Sequence, residues 1–120
     1  MPFKKLLFPL TELVSGECGA LLVDGEGEVV DMAGRMESYR LQVIGAHAVI
    51  LYQHFQRLFL GLEGESLREM KIDSEGCQVL VVPVDEDYYL VFLHGRDLLN
   101  ADRARSAAIR CALALKKELY

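Results

Sequence analysis

Cys77-Gln78-Val79-Leu80-Val81-Val82-Pro83-Val84-Asp85-Glu86-Asp87-Tyr88-Tyr89-Leu90-Val91-Phe92-Leu93 is the stretch that decides the fold. Residues 77–82 and 88–93 read as strands, and 83–87, with Pro83 and three consecutive acids, as the turn of a hairpin. Within the strands the apolar residues run consecutively, at 79–82 and 89–93. A strand that wets one face alternates, whereas one apolar on both sides must be covered on both. Helices are therefore expected on both faces of this sheet.

Working outward, residues 67–73 form a strand that enters the hairpin through Glu75-Gly76, giving a three-strand meander. Arg68, Glu69, Lys71 and Asp73 mark it as an edge strand, because charge discourages uncontrolled pairing. Ala20-Leu21-Leu22-Val23 and Glu28-Val29-Val30-Asp31-Met32 flank Asp24-Gly25-Glu26-Gly27 and make an earlier hairpin. Before it, Phe3, Leu6, Leu7, Leu10, Leu13 and Val14 repeat at helical spacing, with Gly16 as the stop. Pro9 falls inside that pattern, so the helix either starts there or kinks. A closing helix starts near the N-cap Asn100, with Asp102 in its first turn. Its inner face is Ala101, Ala104, Ala108, Cys111, Ala112, Leu115 and Leu119, while Arg103, Arg110 and Lys117 form a solvated outer stripe.

Residues 38–60 read as one long helix. At about 100° per residue, Leu41, Ile44, Ala48, Leu51, Tyr52, Phe55 and Phe59 share the face expected on the sheet. Val43, Ala46, Val49 and Ile50 lie off that face, with His47 and His54 seven residues apart among them. Gly45 leaves room for another backbone. A helix apolar beyond its core stripe is buried on a second side, so this one is expected to meet a partner: a second copy, another protein, or both.

The 120 residues make one domain, 1–120, with 52% hydrophobic and 26% charged residues, enough apolar surface for a core without disulfides or metals. A net charge of −5 argues against non-specific binding to nucleic acid or anionic membranes, which needs a positive field. Cys18, Cys77 and Cys111 are odd in number, lack C-x-x-C spacing and read as buried thiols of a reducing cytoplasm. The start imitates a signal peptide, but Pro9 and Glu12 break the apolar run; no 18-residue apolar window spans a membrane. A cytoplasmic location is the expectation.

The chain contains no P-loop, G-x-S-x-G or H-E-x-x-H. His47 and His54 are roughly 10 Å apart along a helix, too far to share one metal within a chain. Asp24, Glu26 and Glu28 lie in a loop too short for calcium, and Asp85-Glu86-Asp87 reads as a solvated turn. Arg40, Arg57 and Arg103 are the candidates for an arginine finger, none singled out by its context. No catalytic residue, metal or cofactor is expected, because the titratable groups scatter over turns and outer faces instead of gathering in a cleft.

The order helix, hairpin, long helix, meander, helix resembles the roadblock/dynein-light-chain domain. Residues 19–30 are similar to that family's first hairpin and 79–91 to its central hairpin; the Ala-rich closing helix, with Arg103 and Arg105, completes the likeness. The resemblance implies an α+β, profilin-like roadblock architecture: a five-stranded antiparallel sheet, the long helix on one face and the terminal helices on the other. It also implies a homodimer that pairs the edge strand, here Arg68, Glu69, Met70, Lys71 and Ile72, and sets the two long helices side by side. The family's members are non-enzymatic regulators or scaffolds of Ras-like small GTPases, or adaptors on motor complexes. The bacterial polarity and gliding switch uses such a homodimer as the GTPase's activating partner, and a single-domain chain resembles that class. Candidate contacts with the second copy or the GTPase, argued from helix geometry, are Tyr39, Arg40, Val43, Ala46, His47, Ile50, His54 and Arg57. The alternative is a longin- or profilin-like structural or sensory module that binds a peptide or small ligand.

Overall fold

A computed structural model describes residues 3–96 and the chain from Ala101 to Tyr120; the N-cap expected at Asn100 and the side chain of Ala101 lie outside the described residues. The elements are α1 (Phe3–Thr11), β1 (Cys18–Asp24), β2 (Val29–Gly34), α2 (Ser38–Glu63), β3 (Met70–Asp73), β4 (Cys77–Pro83), β5 (Tyr88–Gly95) and α3 (Ala101–Leu119). The five strands form one sheet in the order β2-β1-β5-β4-β3, and every neighbouring pair is antiparallel.

The consecutive apolar residues of the central strands divide between two cores, as expected. Leu21, Val23, Val79, Val81, Val91 and Leu93 pack under α2. Ala20, Leu22, Leu80, Val82, Leu90 and Phe92, the alternate positions, pack under α1 and α3. Period-two alternation sends neighbouring side chains to opposite faces, so a strand between two helical layers is apolar at consecutive positions along its middle.

Four expectations need correction. First, α1 runs through Pro9 and stops at Thr11, well short of Gly16. Burial of Leu7 and Leu10 holds the helix across the missing N–H, and Glu12 and Leu13 then donate to Pro9 and Leu10 in tighter i→i−3 turns. Second, β3 begins at Met70, so Arg68 and Glu69 precede the strand. Leu67 is instead tied to α2: its carbonyl accepts the Tyr52 hydroxyl and its N–H donates to Gln56. Third, Cys77 is only half-buried, whereas Cys18 and Cys111 are buried.

The fourth correction concerns the rotation of α2. Its buried residues are Leu41, Gly45, Ala48, Val49 and Tyr52. Gly45 does not wait for another backbone. It rests on Leu21, whose Cδ2 would lie 2.9 Å from any Cβ added there. That close approach turns Gly45 and Val49 onto the sheet and swings Leu51 and Phe55 off it. Val49, expected in the surplus stripe, is therefore fully buried. Leu51 and Phe55, expected in the core, are 40% and 37% exposed; Phe59, also expected there, is in line with buried Leu41 but lies past the last residue α2 buries, Tyr52, and is 39% exposed. Beyond Tyr52 no residue of α2 is buried.

Arg35, which carries no periodic signal, anchors α1. Its guanidinium donates to the carbonyls of Gly16 (2.8 Å), Thr11 (3.0 Å) and Val14 (2.8 Å), the open end of the helix and the loop after it. Arg35→Ala is expected to cost about 2 kcal/mol, read as a lower urea midpoint with faster amide exchange in α1. Arg35→Lys should recover little of it, since an ammonium cannot reach three carbonyls with a planar fork.

Candidate functional site

Two open sheet edges and one long helix define the candidate surface. The β2 edge is blunted: its pairing with β1 slips at Val30, and the Asp31 carboxylate accepts the Met32 N–H at 2.9 Å. A bulge and a side chain bonded to the edge both obstruct strand addition. β3 differs. Ser74 N–H donates to Cys77 at the hairpin end, and antiparallel alternation then turns the backbone groups of Met70 and Ile72 towards β4. Those of Lys71 and Asp73 point to the open edge. Met70 and Ile72 join the core under α2, so Lys71 and Asp73 face the α3 side.

Above this edge lies the flank of α2 released by its rotation. Ala46 and Ile50 lie against Gly27, and Gln53 donates to the Gly25 carbonyl at 2.8 Å, so that side of α2 faces the β1–β2 turn. Leu51, Phe55, Leu58 and Leu62 lie roughly opposite around the helix, on the β3 side, and all four are exposed. This flank escaped sequence reasoning because helical spacing assigned Leu51 and Phe55 to the sheet-facing stripe.

The helix residues singled out from sequence divide by position. Tyr39, Arg40, Val43, His47, Ile50, His54 and Arg57 are all exposed, and Ala46 is half-buried against Gly27. Arg40 is paired with Glu17 at 3.1 Å, and the Glu37 carboxylate caps the helix by accepting the Arg40 N–H at 2.7 Å. His47 Nδ1 lies 2.8 Å from the Val43 carbonyl, which can only accept, so Nδ1 carries the proton. Of the edge residues, Glu69 is held by Arg105 of its own chain at 2.6 Å and Asp73 by Arg96 at 3.3 Å. Among the described residues no ion pair involves Lys71.

Elsewhere the polar groups are structural. Asp24 accepts the N–H groups of Glu26 and Glu28 at 2.9 and 3.0 Å, which makes it a turn cap. Burial pushes the Tyr52 phenol up to about 12, with Tyr89 and Glu69 adding to it, so it remains a donor to Leu67. Burial alone would raise Asp85, but the Tyr120 hydroxyl, the N–H groups of Asp87 and Tyr88, and Lys116 hold it below the usual carboxylate range. Glu69, Lys71, Gln78, His94, Asp102 and Arg105 contribute to a cleft of about 300 Å³ between β3 and α3. Among the described residues, no three His, Cys, Asp or Glu side chains gather as a metal site. Nor is any described helix long and apolar enough to cross a membrane.

Residues 3–94 match the model of the Roadblock/LC7 domain family. The chain belongs to that family. Solved structures give the same fold at low identity. The Roadblock/LC7 domain from Streptomyces avermitilis superposes with a TM-score of 0.83 at 18% identity, covering 97% of this chain and 96% of that one. For the gliding protein MglB of Thermus thermophilus the values are 0.80 and 20%, over 96% and 86%. Acanthamoeba castellanii profilin II is more distant, at 0.60 and 13%, over 99% and 97%. Among curated proteins the comparison finds no significant relative. Membership carries the five-stranded, three-helix α+β architecture across nearly the whole roadblock domain.

Proposed function

We propose that this roadblock domain is a non-enzymatic, homodimeric regulator or scaffold of a Ras-like small GTPase. The observation that carries the reading is the exposed apolar flank Leu51, Phe55, Leu58 and Leu62 beside an open sheet edge. Two copies that join along β3 cover both flanks at once, and a two-fold contact is self-complementary by construction. Likeness to the gliding protein MglB supports the bacterial regulator class.

Charge, together with the Glu69–Arg105 pair already present, favours one register for this pairing. Pairing centred on Lys71 would set Lys71 against the partner's Lys71 and Glu69 against the partner's Asp73, both repulsive. Pairing centred on Ile72 sets Lys71 against the partner's Asp73 twice and brings the two isoleucines together beneath the helices. It uses only the strand and its hairpin end, and leaves Glu69 with Arg105. A shift by one residue would oppose side chains from different faces and is excluded.

With the β3-side flank taken up by the second copy, the outward stripe of α2 remains for the GTPase: Tyr39, Arg40, Val43, His47, Ile50, His54 and Arg57. The test is a pull-down from native lysate with immobilised dimer, in parallel with GDP and a non-hydrolysable GTP analogue. A small GTPase retained with one nucleotide only, and lost with Ile50→Asp, is the expected result. Recovery of no small GTPase with either nucleotide would overturn the reading.

A further inference from the structure

The whole-chain charge of −5 averages over two unlike parts. Helices α1 and α3 hold seven of the thirteen lysines and arginines but only two of the eighteen acids, Asp102 and Glu118, and are net +5. The remainder of the chain, with six cations and sixteen acids, is net −10. The two helices form a single layer, joined where the Cys111 thiol donates to the Leu6 carbonyl at 3.2 Å. Their buried side is apolar and small, built on Leu7, Leu10, Ala104, Ala108 and Leu115. On the opposite side, Lys5 and Phe8 of α1 and Arg103, Arg110, Leu113 and Lys117 of α3 are all exposed. Phe8 is 53% and Leu113 61% exposed, two large apolar side chains standing among cations. Arg105 and Lys116 are otherwise engaged, with Glu69 and near Asp85, and are not part of this face.

We propose that the outer face of α1 and α3 is a docking surface for an anionic lipid bilayer. Four cations outnumber the carboxylate beside them, Asp102 next to Arg103 and Arg110, and supply the attraction, while Phe8 and Leu113 supply apolar groups that enter the headgroup region. An acidic protein would satisfy the cations but gives no reason for isolated apolar side chains between them. The acidic remainder does not prevent approach. The molecule is 26 Å across its thinnest dimension, and charge is screened within about 8 Å at physiological salt. In the dimer proposed above, opposed residues of the shared sheet point the same way, so both basic layers face one surface while the α2 pair faces away. The inference itself needs only one chain.

Co-sedimentation with phosphatidylcholine vesicles, plain or with about 30% phosphatidylglycerol, tests it. Binding to the anionic vesicles alone is expected, falling steeply as salt rises from about 0.05 to about 0.3 M. Arg110→Glu/Lys117→Glu should weaken it at least ~30-fold, the weight of two cations at an anionic surface, with unchanged helix content and oligomeric state. Leu113→Ser should weaken it at constant charge. A monomeric α2 variant should still prefer anionic vesicles, with lower avidity, so loss of the dimer and loss of this surface are separable. Equal binding to both vesicle types, none at low salt, or full binding by the charge-reversed variant would overturn the proposal. So would retention on polyglutamate beads without vesicle binding, which would assign the face to an acidic protein.

Discussion

Phe55→Glu/Leu58→Glu is expected to turn a dimer into a monomer of 13.5 kDa without unfolding it. Both side chains are already exposed in the single chain, Phe55 by 37% and Leu58 by 45%, so glutamate there removes little from the core. In the proposed dimer the same positions would lie on the buried flank, where a carboxylate enclosed without a partner is costly. Two such changes near the centre of an interface weaken association by about 4 kcal/mol or more, roughly 1,000-fold. Light scattering with size exclusion reads the mass, and circular dichroism the retained fold. The register has its own control: Lys71→Asp should loosen the dimer by repulsion, and Lys71→Ala, which removes the attraction without adding a repulsion, should loosen it less. A parent chain that is monomeric at high micromolar concentration would end the dimer reading, and with it the division of α2 into a self-contacting flank and a GTPase-facing stripe.

The largest effect on the fold itself is expected from one methyl group at the end of β2. Gly34 holds φ at +147°, and a Cβ there would stand 2.4 Å from the Cys18 carbonyl oxygen and 2.6 Å from the Gly19 Cα. Both obstacles are backbone of the adjacent strand and cannot rotate aside. Gly34→Ala should therefore part β1 from β2, at a cost of about 3 kcal/mol or more and a fall in Tm of ~10 °C. Arg35, next in the chain, would lose its three carbonyls with it. Gly61→Ala is the contrast: that glycine lies inside α2 with nothing within 4 Å of the added Cβ, and the change should stabilise by about 1 kcal/mol. Opposite signs for the same substitution separate a steric requirement from a helix propensity. Equal and small effects would show that the hairpin relaxes around Gly34.

Of the candidate surface, the sequence marked α2 but not the exposed flank that its rotation creates. The exposed positions Tyr39, Val43, His47, Ile50 and His54 were legible because a helix wider in apolar character than its core stripe is visible in spacing. Leu51, Phe55, Leu58 and Leu62 were not, because spacing gives relative angles around an axis and not the angle at which the helix meets the sheet. That angle depends on Gly45 seating against Leu21, a contact between residues more than twenty positions apart in the sequence. The basic layer was hidden for a similar reason: Lys5 and Arg110 are far apart in sequence, and only the docking of α1 against α3 places them on one surface.

Some features needed no tertiary information. Consecutive apolar residues at 79–82 and 89–93 already required a sheet covered on both faces, because side chains alternate along any strand. The element order, and the charged edge strand that enters the central hairpin, were equally local in origin. Strand order β2-β1-β5-β4-β3, the closure of α1 by Arg35, and the rotation of α2 came from long-range packing. Periodicity is a property of one backbone segment, whereas orientation is settled by whichever neighbouring side chains allow the closest approach.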